Sequence, residues 1–135
     1  MAIMHDVYIS GERVSKVRRV SFGWGTPADE LDGRPSGRTR NRTIFIERDH
    51  DADNRFFEWA SSSTVDNRKA GKVVFVDSGK EVVNCEWENG WIVDYKLFMH
   101  ASPRMEQGIQ MRESIVISAE IVKINSIENN DNWKL

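Results

Sequence analysis

Short runs of Val, Ile, Phe and Trp recur along this chain, and turn-forming residues separate them. Three such runs are KVVFVDSGKEVVNCEW from Lys72, GWIVDYKLFM from Gly90 and ESIVISAEIVKI from Glu113. Runs of β-branched and aromatic residues bounded by Gly, Asn, Asp and Ser are typical of strands. A chain of 135 residues can build one core and is too short for two. The pattern therefore predicts a single, mainly β domain over residues 1–135.

Apolar alternation places the first two strands. Ile3, Val7 and Ile9 fall on one face of a first strand, because side chains alternate across a strand with a period of two. A second strand is predicted over residues 13–24, and its alternation changes phase between Val14 and Val20. Such a change of phase indicates a β-bulge.

Two further turns are indicated by small polar residues. Asp77-Ser78-Gly79 predicts a hairpin between strands within residues 72–87. Asn89-Gly90 allows two structures. A three-residue turn would place Trp87 opposite Trp91, whereas a bulge would leave one long, bent strand. The residues alone do not choose between these structures.

The segment NRFFEWASSS, residues 54–63, predicts one short helix. Phe56 and Trp59 are spaced to share a helix face, so we expect them to form a structural core contact, and Phe57 broadens that face. Asp51 or Asp53 is placed to accept hydrogen bonds from the free N–H groups of the first turn.

Residues 25–42 form an extended loop that contains Pro27, Gly33, Pro35 and Gly37 and has no apolar period. A loop of this length inside a compact domain is usually functional or disordered. The polar tail, residues 126–135, is expected to be loose until a partner contacts it.

The order of these pieces resembles one known family. The run LDGRPSGRTRNRTIFIE, residues 31–47, leads into a strand, then into the FEW helix and then into a strand that contains IVDY. In that order the chain resembles the haemolysin-coregulated protein (Hcp) family of type VI secretion tube proteins, and its Bacteroidetes version in particular. The resemblance implies a small β-barrel of two packed, curved antiparallel sheets with one short α-helix on its flank. It also implies the bulge, and one long, bent strand, at Asn89-Gly90.

The resemblance implies a structural role with self-association. Subunits of this family form homohexameric rings that stack into an inner tube, and a contractile sheath propels the tube. The implied partners are further copies of the chain, the sheath, a spike protein at the tube tip and secreted effectors. The implied location is cytoplasmic when assembled and outside the cell on firing. The N-terminal residues MAIMHDVYISGERV have no basic start and no apolar core, so we expect no signal peptide.

The extended loop resembles the family's contact between rings, although relatives often have a glycine pair before the next strand. The predicted inter-ring contact residues are Asp32, Gly33, Arg34, Pro35, Ser36, Gly37, Arg38, Arg40 and Arg42.

Metal and catalytic sites are not indicated by the sequence. Asp49, Asp51 and Asp53 flank His50, but an EF-hand counted from Asp49 would need Gly and Glu at loop positions six and twelve, where Asn and Ala stand. The spacings of zinc motifs are missing among the remaining candidate ligands, which are His5, His100 and Cys85. Cys85 falls in the apolar phase of a strand and is expected to be a small buried hydrophobe.

A hydrolytic site is equally unsupported. The sequence holds no GxSxG motif, and Ser61–Ser63 end a helix. Asp94 and Glu120 occur in the polar phase of their strands, which predicts a solvated sheet face for both. We therefore expect no enzyme activity, no cofactor and no metal.

Two other function classes stay open. Basic residues at Arg13, Lys16, Arg18 and Arg19, with aromatic residues nearby at Phe22, Trp24 and Phe45, are compatible with an OB-like nucleic-acid module. The net charge of −2 favours contacts between subunits instead, because domains that bind phosphate backbones are commonly basic. The other alternative is the tube subunit of a related phage-tail-like contractile injection system. Apolar runs are far shorter than the roughly 20 residues of a membrane helix, so no membrane insertion is expected.

Overall fold

The computed structural model describes residues 4–41, 43–50, 53–62, 64–100 and 110–133. Short hairpin strands near the N-terminus are followed by one helix and two long strands. The strands are β1 Met4–Ile9, β2 Glu12–Val14, β3 Val17–Ser21, β4 Trp24–Gly25, β5 Arg40–Asn41, β6 Ile44–Asp49, β7 Lys69–Asp77, β8 Lys80–His100, β9 Gln110–Ile124 and β10 Ile127–Asn130. The helix α1 is Arg55–Ala60, and a 3₁₀ turn occupies Val65–Asn67.

Most strands belong to one antiparallel sheet. The hydrogen-bonded order is β2-β1-β7-β8-β9-β6-β3, and β10 adds to β9, while β4 and β5 form a separate two-stranded sheet. The large sheet curls into a half-barrel around one core of buried residues from β1, β2, β6, β7, β8, β9 and α1. The predicted fold, a mainly β barrel-like architecture with one short helix, is confirmed.

Strand β8 is 21 residues long and passes through Asn89-Gly90 without a turn. Asn89 has a φ of 54°, and Trp91 lies opposite Ser118, so the alternative pairing of Trp87 with Trp91 does not form. The Trp87 ring packs over two glycines instead. A Cβ added at Gly71 would lie 2.0 Å from the Trp87 ring, and one at Gly90 would lie 2.8 Å from it. The close approach of this ring explains both glycines.

The buried face of β8 changes twice along its length. Cys85 and Trp87 are buried before Asn89, and Gly90 and Ile92 are buried after it. A register shift between Ile92 and Asp94 then moves the inward phase to Tyr95, which lies opposite buried Ile115. Period-two alternation therefore fails at Trp91 and Val93, which are half-buried and exposed respectively.

The predicted second strand is divided into three. Lys16 has a φ of 62° and forms a corner between β2 and β3, and a register shift follows between Val17 and Arg19. The bulge predicted between Val14 and Val20 is therefore present, and it accompanies a sharp corner. Strand β4 then starts the small sheet, with Trp24 opposite Asn41.

The C-terminal tail is more ordered than the sequence suggests. Asn125 and Ser126 have φ angles of 48° and 76°, and this two-residue turn returns the chain along β9 as β10. The expectation of a loose tail from residue 126 is therefore wrong through Asn130. Positive φ at both central residues suits a hairpin. No apolar alternation marks β10, because Ile127 is its one aliphatic side chain and is exposed.

Helix α1 closes one flank of the half-barrel, as predicted. Phe56 and Trp59 are buried, and Trp59 Nε1 donates to the Asn67 carbonyl oxygen at 2.8 Å. Phe57 is 57% exposed, and its ring lies 5.6 Å from the Tyr95 ring, centroid to centroid. Asp53 Oδ1 accepts from the Arg55 backbone N–H at 3.1 Å, in the first turn, where a capping carboxylate was expected. The alternative cap, residue 51, lies outside the described residues.

The burial of α1 predicts the effect of two helix substitutions. Trp59→Ala should lower the free energy of unfolding by about 3–5 kcal/mol, because it empties a buried aromatic site. Phe57→Ala, the matched exposed control on the same helix, should have a much smaller effect. Thermal melting of the two variants tests this, and equal melting temperatures would show that α1 is not a core element.

Candidate assembly surfaces

An ion pair lies inside the half-barrel. Arg48 on β6 and Glu113 on β9 are register partners, and Arg48 Nη1 donates to Glu113 Oε1 at 2.6 Å. Their side chains are 1% and 0% exposed. Arg48 Nε also donates to the Ser15 carbonyl oxygen at 3.0 Å, and the guanidinium lies 5.7 Å from the Phe56 ring centroid. Together these contacts join β6, β9, the corner before β3, and α1.

The second carboxylate oxygen of Glu113 is also occupied. Tyr95 on β8 donates its hydroxyl hydrogen to Glu113 Oε2 at 2.6 Å. Burial raises the pKa of Tyr95, and the hydrogen bond to Glu113 raises it further, so the hydroxyl stays a protonated donor. His50 Nε2 lies 3.9 Å from the same oxygen. A fully buried carboxylate held by an arginine and a tyrosine has a structural role, since a substrate cannot reach it.

This cluster was missed by the sequence analysis, although a signal was available. Arg48 continues the inward alternation of Ile44 and Ile46, and Glu113 precedes the inward residues Ile115 and Ile117. Opposite charges in the apolar phase of two strands indicate a buried pair, because an isolated charge is costly to bury.

The carboxylates near His50 take part in ion pairs. Asp49 Oδ2 accepts from Arg18 Nη2 at 2.6 Å, and Asp49 Oδ1 lies 3.5 Å from Arg112 Nε. Asp53 Oδ2 accepts from Arg55 Nε at 2.7 Å. Within the described part of the chain, acidic, histidine and cysteine side chains form no group of three that could hold a metal ion.

The remaining candidate ligands have separate surroundings. His5 Nε2 is 3.1 Å from the Val17 carbonyl oxygen, and its ring meets the Phe75 ring edge-on. Cys85 is buried opposite Val73, as expected for a small hydrophobe, and burial raises the pKa of its thiol. The side chain of residue 100 lies outside the described residues.

Of the two strand carboxylates, only Asp94 is solvated as predicted. Glu120 is buried, so the expectation of a solvated face is wrong there. Its Oε1 accepts a hydrogen bond from Asn89 Nδ2 at 2.7 Å. The change of buried face at Asn89 explains the difference. Glu120 lies beside Asn89, where the side of the sheet that faces the interior changes.

The basic residues of β2 and β3 contact partners on the chain itself. Arg13 donates to Asp6 at 3.1 Å, and the Arg19 guanidinium lies 5.7 Å from the Phe45 ring centroid. Phe22 and Trp24 stack on each other and pack against the core. Neither ring is a free platform for stacking a base, which single-strand binders require.

The base of the extended loop is fastened to β9 and β10 by Asn41. Its Nδ2 donates to the carbonyl oxygens of Glu120 at 2.6 Å and Asn129 at 3.1 Å. Asn129 Nδ2 donates in return to Asn41 Oδ1 at 2.9 Å, and the Asn41 backbone N–H donates to Asp131 Oδ1 at 3.2 Å. These bonds fix the direction in which the loop leaves the half-barrel.

The tip of the loop is built by its own hydrogen bonds. Asp29 N–H donates to the Arg34 carbonyl oxygen at 2.7 Å, and Gly33 N–H donates to the Asp29 carbonyl oxygen at 2.9 Å. The Asp29 carboxylate accepts from Leu31 N–H at 2.8 Å, and the Asp32 carboxylate accepts from Arg34 N–H at 3.0 Å. Leu31 is 97% exposed at this tip. An ordered tip therefore presents a large apolar side chain to solvent.

The predicted contact residues are spread along this loop. Arg34 is exposed and pairs with Asp32 at 3.3 Å, whereas Arg38 donates to the Asn130 carbonyl oxygen and so braces the loop against β10. Arg40 lies in β5 opposite Gly25. Residue 42 lies outside the described residues.

An exposed apolar surface lies where β8 and β9 extend beyond the core. Leu97, Met99 and Met111, here called the overhang patch, share the inward face of the two strands because Met99 pairs with Met111 and Leu97 with Glu113. All three are exposed, and Met99 is 65% exposed. Strand β7 pairs with β8 only up to Gly90, so β8 has no strand on that side at the overhang among the described residues.

Comparisons with known proteins identify relatives over nearly the whole chain. A family model described as hemolysin coregulated protein Hcp (TssD) matches residues 1–134. No curated protein matches the sequence. Within the described residues, no helix is long and apolar enough to cross a membrane.

Several solved structures are similar. Hcp1 from Flavobacterium johnsoniae is 26% identical, with a TM-score of 0.75, covering 93% of this chain and 98% of that one. Hcp1 from E. coli EAEC 042 is 16% identical, with a TM-score of 0.70 and coverage of 98% and 100%. A chain of the sheath-tube complex of the extracellular contractile injection system PVC is 9% identical, with a TM-score of 0.52 and coverage of 91% and 88%.

The buried ion pair predicts a marked loss of stability when one partner is neutralised. Glu113→Gln should lower the free energy of unfolding by about 3–5 kcal/mol, because it leaves the Arg48 charge buried and uncompensated. Asp6→Asn, which breaks the exposed pair with Arg13, should cost no more than about 1 kcal/mol. Chemical unfolding measures both.

A double variant separates charge from packing. Arg48→Met combined with Glu113→Leu should recover part of the loss, since no charge then remains buried. If Glu113→Gln proved as mild as Asp6→Asn, the pair would not be a determinant of stability.

Proposed function

Because the chain belongs to the haemolysin-coregulated protein (Hcp, TssD) family of type VI secretion tube proteins, we propose that it closes into homohexameric rings and that these rings stack into the inner tube. The family match over residues 1–134 is the observation that carries the proposal. The chain is a structural subunit of the tube, and its function lies in surfaces that contact other copies.

The architecture supports self-association. The strand order ends at β2 on one side and β3 on the other, so the half-barrel does not close its own sheet within the described residues. Open strand edges offer unpaired N–H and C=O groups to a neighbouring chain. A ring in which one surface meets a different surface of the next copy is a closed heterologous assembly, and stacking repeats a second such contact without closure.

The partners follow from the same role. Tube association with a sheath is supported by similarity to a chain of a sheath-tube complex. We extend the proposal to a spike protein at the tube tip and to effectors carried with the tube. In this proposal the assembled tube is cytoplasmic and the subunit leaves the cell on firing.

The extended loop supplies the contact between rings in this proposal. Its base is fixed by Asn41, its tip is ordered, and Arg34 and Arg40 are exposed along its length. A long ordered loop without an apolar face gains little for an isolated subunit, since ordering costs about 1–2 kcal/mol per residue. Contacts with the next ring would compensate for that cost.

A non-enzymatic role is consistent with the described side chains. The buried carboxylate of Glu113 is enclosed by Arg48 and Tyr95, and the half-buried carboxylates of Asp49 and Asp53 pair with arginines. The alternative, a tube subunit of an extracellular contractile injection system, has the same fold. The higher identity and TM-score of the Flavobacterium Hcp1 structure favour the type VI machine.

The first test is the mass of the purified protein in solution. Light scattering should show a species of six times the 15.6 kDa subunit mass, with larger stacks at low salt and fewer at high salt. Salt should weaken the stacks because it screens exposed charges. A 15.6 kDa species at every concentration and salt tested would contradict the proposal.

The second test concerns the loop arginines. Arg34→Glu should reduce stacking and leave the ring intact, because Arg34 is exposed and lies outside the core. Arg13→Glu, at an exposed pair on β2, is the matched control and should leave stacking unchanged. Sedimentation separates rings from stacks. Loss of the ring in Arg34→Glu would assign the loop to the contact within a ring, and unchanged stacks would exclude Arg34 from the contact.

Arg38 needs separate treatment because it also braces its own loop. Arg38→Glu removes the bond to the Asn130 carbonyl oxygen, so it should loosen the loop base and reduce stacking together. Hydrogen exchange at the loop base, measured in Arg34→Glu and Arg38→Glu, distinguishes the two effects. Faster exchange should occur only in Arg38→Glu.

A further inference from the structure

Strand β10 and the residue after it supply several hydrogen-bond partners of the loop base. Arg38 donates to the Asn130 carbonyl oxygen, and Asn41 bonds to both the carbonyl oxygen and the side-chain amide of Asn129. The Asn41 backbone N–H donates to Asp131 Oδ1 at 3.2 Å. The order of the loop base therefore depends on these three partners staying beside β9.

Apolar burial does little to hold this segment on β9. Strand β10 is four residues long, and Ile127, its one aliphatic side chain, is 78% exposed. Residues 128–132 are all polar. A short edge strand that buries no large apolar side chain belongs to the parts of a fold that open locally at low free energy. A further contact is needed to keep the segment in place.

Trp133 supplies such a contact. Its ring lies 5.7 Å from the Trp91 ring, centroid to centroid, and the two planes meet at 34°. Trp91 lies between the buried residues Gly90 and Ile92, so its ring lies on the outer face of β8. Trp91 Nε1 donates to the Thr64 carbonyl oxygen at 2.9 Å, which fixes the ring from the side of α1. The contact between Trp91 and Trp133 is here called the tryptophan clasp.

The tryptophan clasp can open while the half-barrel stays folded. Trp91 and Trp133 are both half-buried, and among the described residues neither belongs to the core cluster or to the apolar side chains packed against it. A pair of aromatic rings favours the closed state of such a contact by about two- to tenfold beyond the area that it buries. A contact of this size changes a local equilibrium and leaves global folding intact.

We propose that the tryptophan clasp is a conformational switch that controls the order of the loop base from the outer face of the sheet. When closed, it keeps residues 129–131 on β9. When open, it releases them, and the Asn41 backbone N–H loses its acceptor. The switch operates in the single subunit, so it does not depend on assembly into rings. A partner that took up the Trp133 ring would loosen the loop base from outside the loop.

Opening of the clasp should loosen the loop base without freeing it completely. The bond from Asn41 Nδ2 to the Glu120 carbonyl oxygen, at 2.6 Å, remains in the open state because Glu120 belongs to β9. Strand β5 also keeps its pairing with β4, where Asn41 lies opposite Trp24. The open state is therefore a partly ordered loop base.

Hydrogen exchange of single amides tests the switch. Asn41 N–H is bonded to Asp131, and Asp131 N–H is bonded to the Glu120 carbonyl oxygen at 2.9 Å. Trp133→Ala should speed exchange at both amides by about two- to tenfold, which is the factor that an aromatic pair contributes. The amide of buried Ile46 on β6 should exchange as in the unmodified chain.

Three further variants serve as controls. Ile127→Ala removes an exposed side chain of β10 itself and should leave both exchange rates unchanged. Trp133→Phe keeps an aromatic ring against Trp91 and should retain most of the protection. Trp91→Ala should reproduce Trp133→Ala, and the double variant should add little to either, because both substitutions remove the same contact.

Proteolysis gives a second readout at the loop itself. Trypsin cleaves after arginine, and cleavage after Arg38 or Arg40 requires local opening of the loop base. When opening and closing are fast, the cleavage rate follows the population of the open form. Trp133→Ala should therefore be cut there about two- to tenfold faster than the unmodified chain, and Ile127→Ala should not.

Each outcome supports or overturns the switch. Unchanged exchange at Asn41 in Trp133→Ala would overturn it, and so would equal acceleration in Ile127→Ala, which would assign the effect to β10 alone. Acceleration that extends to Ile46 would make the clasp part of the folding core and would overturn the switch as well. None of these results alters the proposed tube role, which the mass in solution tests separately.

Discussion

The buried pair of Arg48 and Glu113 determines how the half-barrel is put together. Each charge in the core requires the other, because an unpaired buried charge costs several kcal/mol. Their hydrogen bond fixes the register of β6 on β9. The bond from the Tyr95 hydroxyl to Glu113 adds β8, and the bond from Arg48 to the Ser15 carbonyl oxygen adds the corner before β3. A one-residue slip of β6 would turn Arg48 outward and leave Glu113 alone. The polar cluster thus selects one register.

That register also gives the subunit its polarity. With β6 set on β9, the chain before β6 must leave at the far end of β9, where Asn41 bonds to Glu120 and Asn129. The long strands β8 and β9 overrun the core at the other end. A core interaction therefore places the loop and the overhang patch on opposite ends. Subunits with two different ends can stack in one direction, which suits a tube.

The sequence predicted much of the fold, but it did not predict the buried ion pair or the bonds that anchor the extended loop. Alternation and turn residues located the long strands, the hairpin at Ser78-Gly79 and the buried helix face with Phe56 and Trp59. Resemblance was needed at Asn89, because a turn and a continuous strand share the same local pattern. Alternation failed at Trp91 and Glu120, since a positive φ at Asn89 and the change of buried face there alter which side is inside. Both are properties of a curled sheet that a period of two does not express.

The buried ion pair and the strand β10 were missed for different physical reasons. Arg48 and Glu113 are 65 residues apart, and only the three-dimensional register joins them. Strand β10 depends on backbone pairing with β9, so its side chains carry almost no apolar signal. The sequence predicted the loop as an assembly element, but the anchor of the loop at Asn41 depends on β9 and β10. Contacts between distant segments are the part that sequence patterns do not contain.

A subunit with two different ends is expected to stack head to tail. Electron cryomicroscopy of tubes assembled from the purified protein tests it most directly. We expect six subunits per ring, all loops pointing the same way, and each loop in contact with the next ring. Rings that stack back to back, or loop tips that contact the ring they belong to, would contradict it.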